Sequence, residues 1–450
     1  MRSAALLLLV CTAACPAGNT TTTAQQNNQN NNNNNMTTTV TTLSYNIQAV
    51  PGCGTKTGTQ TAIATKGGEV VFATISQLPT TTSCTAMFSA PADVPNYDIC
   101  YGETSGGAVT TTSLAQVSSV SLMGVGIAVA PNGNVSVAYT GGPQAPARCG
   151  GTDVLVRTKS GAMFAAPTTI ASDSAGTPEP SEAADCAIEN VCGSGAATGF
   201  WPALAYDAMN RLSTVFRDMH FGFAGDDFEK SDVELVRAGG GVRTVDGGKG
   251  GGEYNRVAAT ADNALTIIHN NSQGVTAHRG IWALRESGGT FVRNLVSTDV
   301  AGEMMGFAIN ASGLHGLAYY DTQKQRLSYV ESTDGQVWSD VDPVDTNGNI
   351  GMYPSLAFDP NGEPTIAYYR CNKYIPGSSN CDQNEDGLYL ARRANGSWVK
   401  NKLVGESASF DGLYPAITFA GGKAVIAYQK NTYDPSANVT TSELFLAKEP

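Results

Sequence analysis

The stretch that decides the fold is YPSLAFDPNGEPTIAYYR at residues 353–370, which is followed by LYLARRANGSWVKNKLV at residues 388–404. Each half consists of two short runs of alternating hydrophobic and polar residues, joined by a turn that contains Asn and Gly. This alternation is typical of β-strands, and an Asn/Gly turn between two such runs indicates a hairpin. One copy of the pattern therefore predicts four strands.

The same pattern recurs six more times along the chain. Each copy can be aligned on an anchor position in its first strand, which is Leu356 in the copy above, and neighbouring anchors lie 49 to 77 residues apart. The other anchors are Ile63, Ile127, Leu204, Val257, Phe307 and Ile417. We therefore expect an all-β, seven-bladed β-propeller of four-stranded blades. The alternatives are a β-helix, which needs shorter repeats, and a β-sandwich, which does not repeat seven times.

The two ends of the repeat region predict how the propeller closes. The last copy has three strands before Pro450, and the run LSYNIQAV at residues 43–50 precedes the first copy without a place in its register. We expect this run to pair with the strand at residues 443–447 as the fourth strand of the last blade. That pairing leaves no open sheet edge between the first and last blades. The predicted propeller domain spans residues 43–450.

The N-terminus carries export signals. Residues 1–14 combine one positive charge, an apolar run and small residues, as in a signal peptide. The segment from Thr12 to Cys15 resembles the bacterial lipobox, with Thr12 in place of the usual aliphatic residue. This resemblance implies that Cys15 is diacylated. Pro16, which follows the cysteine in place of Asp, implies by the same resemblance that the protein is sorted to the outer membrane. The alternative is secretion with an unmodified Cys15. Residues 15–42, rich in Asn and Thr, predict a low-complexity tether, with β-aggregation of the Asn/Gln run as the alternative.

Composition limits the partners. Charged residues make up 15% of the chain, the net charge is −12, and no basic cluster is longer than the pair Arg392 and Arg393. A surface that follows phosphates needs concentrated positive charge, so nucleic acid is excluded as a main partner. We expect a monomeric bacterial lipoprotein at the outer membrane or cell surface, attached to the membrane only through its lipid. Its partner is expected to be a glycan or a protein.

The blade pattern PSLAxDxxGxPxIAYY, with LxYA and GxW, resembles that of bacterial exported propeller proteins, which are loosely similar to the sialidase-like Asp-box propellers. Residues 332–338, STDGQVW, resemble an Asp box with one residue fewer between Asp and Gly. In that family the box is a turn between strands and is not catalytic. The resemblance implies the propeller fold and leaves the activity open, since the sialidase Arg-Ile-Pro motif is absent.

A binding site is expected on the face where first strands begin and second strands end. The positions three residues before the anchors are Gln60, Gly124, Trp201, Tyr254, Met304, Tyr353 and Tyr414. Long connections reach the same face, and loops on a rigid scaffold often carry binding residues. They span residues 141–152, 172–198, 218–231, 371–387 and 431–441. The predicted ligand-binding residues are Trp201, Tyr254, Tyr353, Tyr414, Arg217, Tyr320, Tyr369 and Arg370. The alternative is that the aromatic residues only pack between blades.

Catalysis is the competing hypothesis. A glycosidase needs two carboxylates facing across a sugar. The acids expected on this face are Asp218, Glu253, Glu303 and Asp321, with Arg217 and Arg370 available for an acidic sugar. The arginine triad and the nucleophilic tyrosine of the sialidase family cannot be placed on the repeats, and neither a GxSxG nor an HExxH motif occurs. We therefore expect a non-catalytic binding protein that requires no cofactor, with a sialidase-like glycosidase or lyase as the alternative.

One segment predicts a metal site. The sequence DQNEDG at residues 382–387 places oxygen ligands at Asp382, Asn384 and Asp386 before a turn glycine. This arrangement suits Ca²⁺. The alternative is an ordinary acidic turn inside a disulfide-closed loop.

Disulfides are expected because eight cysteines follow the signal region, an even number in an exported chain. Short loops favour the pairs Cys371–Cys381 and Cys186–Cys192. The remaining cysteines are expected to pair as Cys53–Cys84 and Cys100–Cys149. Exchange of Cys149 with Cys186 or Cys192 is the alternative.

The lipobox resemblance yields a prediction about the mature N-terminus. Mass spectrometry of the protein isolated from its host should find an N-terminal peptide that begins with acylated Cys15. A free terminus at any later residue would contradict the lipid anchor.

Overall fold

The computed structural model describes most of the repeat region. The described residues are 44–53, 56–84, 92–118, 124–141, 153–172, 197–219, 231–247, 249–272, 274, 276–346, 349–371, 381–382, 386–405, 409–434, 436 and 439–450. The predicted signal peptide, Cys15 and the tether lie outside these ranges. Within them, no helix has the length and apolar character needed to cross a bilayer.

The described strands follow one another around a circle of blades. The first is β1 (Asn46–Ala49). Blade 1 contains β2 (Lys56–Lys66), β3 (Glu69–Cys84), β4 (Ala92–Ser105) and β5 (Ala108–Ser118). Blade 2 contains β6 (Val125–Val129), β7 (Val135–Gly141), β8 (Asp153–Ser160), the short β9 (Met163–Phe164) and β10 (Thr168–Ala171). Blade 3 contains β11 (Ala197–Tyr206), β12 (Leu212–Met219), β13 (Asp232–Arg237) and β14 (Val242–Asp246).

The remaining blades have the same organisation. Blade 4 contains β15 (Glu253–Ala259), β16 (Leu265–Asn271), β17 (Gly280–Ser287) and β18 (Thr290–Ser297). Blade 5 contains β19 (Ala301–Ile309), β20 (His315–Asp321), β21 (Arg326–Ser332) and β22 (Asp342–Asp345). Blade 6 contains β23 (Asn349–Phe358), β24 (Pro364–Cys371), β25 (Gly387–Ala394) and β26 (Ser397–Gly405). Blade 7 contains β27 (Ser409–Ala420), β28 (Lys423–Asp434) and β29 (Val439–Lys448), completed by β1.

The predicted seven-bladed propeller is confirmed. Strands within each blade pair antiparallel, and every anchor lies on the first strand opposite a residue of the second, as Leu356 lies opposite Ile366. Residues 431–441, expected to be a long connection, mostly continue the hairpin of blade 7, where Asp434 pairs with Val439. We call the face where first strands begin and second strands end the loop face.

Closure of the circle is confirmed as well. β1 pairs antiparallel with β29, with Asn46 opposite Lys448 and Ala49 opposite Phe445. Tyr45, just before β1, is only 8% exposed and packs in the core shared by blades 6 and 7. The N-terminal strand is therefore an integral part of the last blade.

The structure corrects two disulfide predictions. Cys53 pairs with Cys100, so the expected Cys53–Cys84 and Cys100–Cys149 pairings are wrong. The reason is the length of the β3–β4 hairpin: Cys100 pairs with Thr74 in the body of the blade, whereas Cys84 pairs with Ala92 near the far end.

The predicted Cys371–Cys381 disulfide is confirmed, with a Cα–Cα distance of 5.4 Å. The predicted bond between Cys186 and Cys192 lies outside the described residues, as does Cys149.

Blades pack against each other through their second strands. Every residue of β7, β16 and β20 is buried, because a neighbouring blade covers each face of these strands. Ile268 of blade 4 and Leu317 of blade 5 are fully buried in one hydrophobic cluster. Burial on both faces explains why the sequences of the second strands consist mostly of apolar residues.

The degenerate Asp box forms a turn between β21 and β22. The Asp334 carboxylate accepts hydrogen bonds from the backbone N–H groups of Gln336 at 2.8 Å and Val337 at 2.9 Å. The N–H of Gly335 donates to the Ser332 hydroxyl at 2.9 Å. The box therefore shapes a connection on the side of blade 5.

The closure generates a prediction about stability. A protein that lacks residues 1–43 should unfold at the same temperature as the mature protein, whereas one that lacks residues 1–50 should unfold several degrees lower. The second deletion exposes an edge of β29 and loses the buried Tyr45 ring, a loss of roughly 2 to 3 kcal/mol. Both proteins keep Cys53, so calorimetry compares the loss of β1 and Tyr45 without a change in the disulfide. Equal melting temperatures would contradict closure by β1.

Candidate functional site

In each blade, the residue three positions before the anchor has a positive φ angle and lies at the mouth of the central channel on the loop face. We call these seven positions the mouth residues. Their φ angles are 56° at Gln60, 106° at Gly124, 49° at Trp201, 54° at Tyr254, 66° at Met304, 55° at Tyr353 and 48° at Tyr414. A left-handed conformation costs a residue other than glycine roughly 1–2 kcal/mol. In six of the seven blades, the mouth residue is not glycine and adopts this unfavourable conformation.

A close approach between blades explains where the backbone turns. Gly351 and Gly412 stand two residues before Tyr353 and Tyr414 and have φ angles of 100° and 104°. A Cβ at Gly351 would lie 2.5 Å from the Cβ of Leu327, and one at Gly412 would lie 2.5 Å from the Cβ of Leu388. Only glycine allows the first strand to cross the third strand of the preceding blade this closely.

The same motif recurs in other blades. A glycine two residues before the aromatic residue appears in GFW, GEY, GMY and GLY, at residues 199–201, 252–254, 351–353 and 412–414. It is the sequence signal for the left-handed mouth positions. The aromatic residues were predictable from the sequence, whereas the role of the glycines is visible only in the contacts between blades.

The aromatic mouth residues form two pairs across neighbouring blades. The rings of Trp201 and Tyr254 have centroids 5.1 Å apart in a T-shaped arrangement. The rings of Tyr353 and Tyr414 are 4.2 Å apart and tilted by 41°. All four side chains are half-buried. They pack between blades, as one reading of the sequence predicted, and each residue remains partly exposed.

Arg217 and Glu253 are fixed beside the first aromatic pair. The guanidinium of Arg217 lies 5.5 Å from the centroid of the Trp201 ring, with Nη1 3.6 Å from Oε1 of Glu253. Glu253 also accepts hydrogen bonds from the Asn270 side-chain amide at 2.6 Å and from the Ser272 hydroxyl at 2.7 Å. Both charged groups are buried, with exposures of 1% and 4%. Each is neutralised within the protein.

The other predicted acids are also engaged. Asp321 is fully buried and accepts hydrogen bonds from the backbone N–H groups of Gln323 and Lys324, both at 3.0 Å. It therefore fixes the turn after β20. Asp218, at the end of β12, is 4% exposed.

Two further predicted ligand residues contact neighbouring strands. The Tyr320 hydroxyl donates a hydrogen bond to the Asn349 side chain. Arg370 lies 3.4 Å from Asp345 and 5.0 Å from the centroid of the Tyr389 ring. Arg370 therefore has both an anionic and an aromatic partner within the fold.

Glu303 has a different environment. It immediately precedes the mouth residue Met304 and is half-buried, and burial raises the pKa of its carboxyl group. Interaction with the Tyr353 hydroxyl offsets part of this rise. The carboxylate also lies close enough to Tyr414 to contribute to raising the pKa of that phenol, which burial chiefly raises, to about 12. Glu303, Tyr353 and Tyr414 form what we call the Glu303 cluster.

A buried acid stands behind this cluster. The Tyr369 ring is 6.4 Å from the Tyr353 ring, and its hydroxyl donates a hydrogen bond to Asp386. Asp386 is fully buried, and burial, with a contribution from the negative charge of Asp411, raises the pKa of its carboxyl group to about 7.

Asp382 and Asp386 are two of the predicted calcium ligands, and Asn384 lies outside the described residues. Within the described part of the chain, no group of three or more His, Cys, Asp and Glu side chains is arranged for a metal ion. The calcium site stays a prediction.

Comparison with known proteins finds distant structural neighbours. No protein-family model and no curated protein matches the sequence. The structure is similar to a protein of unknown function from Dyadobacter fermentans, at 9% identity and a TM-score of 0.49, over 90% of this chain and 99% of that one. It is similar to a Hadza microbial sialidase at 10% identity and a TM-score of 0.42, over 89% and 94% of the two chains. For the polysaccharide lyase Uly1 the identity is 10%, the TM-score 0.46 and the coverage 91% and 92%. Likeness at this level says nothing about activity, and the strand pairing establishes the propeller by itself.

The buried Asp386 predicts a pH dependence of stability. Because its pKa rises from 3.8 to about 7 on folding, the folded protein holds the proton more tightly than the unfolded chain, and stability falls as pH rises between these values. The loss amounts to roughly 4 kcal/mol at most. Asp386→Asn keeps an acceptor for Tyr369 and cannot ionise, so its free energy of unfolding should fall less over this range.

Urea unfolding of both proteins at acidic and slightly alkaline pH, in EDTA to remove divalent cations, measures this difference. Identical pH profiles would show that Asp386 does not titrate in this range.

Proposed function

We propose that this protein binds a glycan at the mouth residues of the loop face without chemically altering it. The observation that supports this most is the exposed part of the two aromatic pairs, Trp201 with Tyr254 and Tyr353 with Tyr414. Aromatic rings stack on the apolar faces of sugars, while tyrosine hydroxyl groups at the ring edge bond to sugar hydroxyls. The two pairs stand in different blades around one channel mouth, which suits an oligosaccharide better than a single sugar.

The backbone strain at the mouth supports a functional role. Six residues other than glycine keep a left-handed conformation, and such strain clusters at sites where function requires a fixed arrangement. Three of the six are tyrosines and one is tryptophan. A left-handed turn repeated in every blade holds these rings in place before any ligand arrives, which lowers the entropy cost of binding.

The carboxylates favour binding over catalysis. A glycosidase needs two carboxyl groups within about 5 to 10 Å of each other on opposite sides of a sugar bond. Of the four predicted acids, Glu253 is neutralised by Arg217, Asp321 fixes a turn, and Asp218 is buried. Glu303 remains as a single acid at the mouth. A glycosidase or lyase that uses Glu303 as its acid is the second candidate, because the raised pKa of that group suits a proton donor.

We further propose that the propeller is displayed outside a bacterial cell. The lipid on Cys15 and the tether at residues 15–42 would hold the domain away from the membrane surface, so that large glycans could approach the loop face. This part of the proposal rests on the sequence alone.

A glycan array with the mature protein tests the binding proposal. Glycans bound by the natural protein should lose at least tenfold in affinity, about 1.4 kcal/mol, in Tyr353→Ala and in Trp201→Ala. Met209→Ala, which removes an exposed apolar side chain from the β11–β12 turn on the opposite face, should bind normally and controls for the loss of a large side chain. Melting temperatures establish that each variant is folded.

Two outcomes would change the proposal. Unchanged affinity in both mouth variants would place the site elsewhere. Release of new reducing ends or unsaturated sugars from a bound glycan, abolished by Glu303→Gln, would replace the binding role with catalysis.

A further inference from the structure

We propose that the Glu303 cluster binds a positively charged group, and that the glycan recognised at the mouth carries free amino groups. This inference rests on the proposed function and adds the charge of the ligand. It departs from the expectation of an acidic sugar, which depended on Arg217 and Arg370.

Glu303 is a partly buried carboxylate without a cationic partner. In the described part of the chain, no Lys, Arg or His forms an ion pair with it, and its carboxylate interacts instead with the phenol groups of Tyr353 and Tyr414. Four other carboxylates in the surrounding blades do have cations nearby. These pairs are Glu253 with Arg217, Asp321 with Lys324, Asp345 with Arg370, and Asp411 with Lys430. Removing a charge from water without a partner is unfavourable, so a ligand cation would supply what the protein lacks.

The blade register explains why Glu303 is unpaired. Glu253 and Glu303 occupy the same place, directly before the mouth residue of their blades. Glu253 faces Arg217 from the second strand of the preceding blade. The equivalent position in the blade that precedes Glu303 is Asn270, which is neutral and donates to Glu253. The partner that neutralises one glutamate is therefore missing at the other.

Two tyrosine rings stand beside this carboxylate. Tyr353 and Tyr414 both lie within electrostatic reach of Glu303, and their ring centroids are 4.2 Å apart. The face of a tyrosine ring attracts ammonium and guanidinium groups, and the attraction is strongest where water is partly excluded. A carboxylate flanked by two half-buried tyrosines is thus suited to a protonated amine and unsuited to a carboxylate or sulfate.

The arginines of the loop face do not favour an anionic ligand. Arg217 is 1% exposed and faces Glu253, and Arg370 has Asp345 at 3.4 Å. The net charge of −12 acts in the same direction over longer distances.

Matched chito-oligosaccharides test the inference. Two tetramers of glucosamine serve as probes, one fully N-acetylated and neutral, the other N-trimethylated and permanently cationic. Calorimetric titration of the mature protein should give at least tenfold tighter binding of the cationic tetramer. Glu303→Gln, nearly identical in shape, should remove that preference by weakening the binding of the cationic tetramer far more than that of the neutral one. Glu443→Gln, which removes an exposed carboxylate on β29, should keep the preference and controls for the change in net charge.

A second measurement needs no variant. Tetramethylammonium chloride should displace the cationic tetramer from the natural protein, whereas sodium chloride at the same concentration should displace it much less. Equal displacement by the two salts would overturn the inference even if Glu303→Gln failed to fold.

The outcomes separate this inference from the proposed function. Equal binding of both tetramers, lost together in Tyr353→Ala, would contradict the charge preference and leave glycan binding at the mouth intact. Absence of binding to both tetramers and to every glycan on the array would remove the proposed function and the inference with it.

Discussion

The pairing of β1 with β29 is the contact on which the rest of the structure depends. Every other blade takes its strands from one continuous stretch of chain, but blade 7 takes one strand from the opposite end of the sequence. The second strands are buried on both faces only while each blade has two neighbours. If the circle opened, blades 1 and 7 would each expose a face made for burial, and the channel mouth would lose its fixed diameter.

The mouth of the channel follows from how tightly the blades meet. Glycines such as Gly351 bring the first strand of one blade against the third strand of the preceding one, and the chain then turns through a left-handed residue. Packing and site are therefore consequences of one local geometry. The aromatic pairs arise because neighbouring blades each place a large side chain at the same height, whereas Gly124 in blade 2 contributes no side chain.

Much of this architecture was predictable because it repeats. The anchors, the closure by residues 43–50 and the positions of the mouth residues follow from a spacing that seven copies establish independently. Left-handed backbone was not predicted, because it depends on contacts between blades that are distant in sequence. The same limit applies to the acids: Glu253 and Glu303 both follow glycine, and only the register of the preceding blade shows that one faces Arg217. Cys84 was wrongly paired because the sequence does not show how far β3 and β4 extend beyond the blade.

The Cys53–Cys100 bond bears on the order in which the blades assemble. β1 precedes blade 1 in the sequence and its partner β29 belongs to blade 7, so β1 remains unpaired until blade 7 has formed. Cys53 and Cys100 are only 47 residues apart and belong to the segment around blade 1. The crosslink can therefore fix the start of the chain against the first finished blade, which leaves β1 positioned at the gap that the final blade must fill.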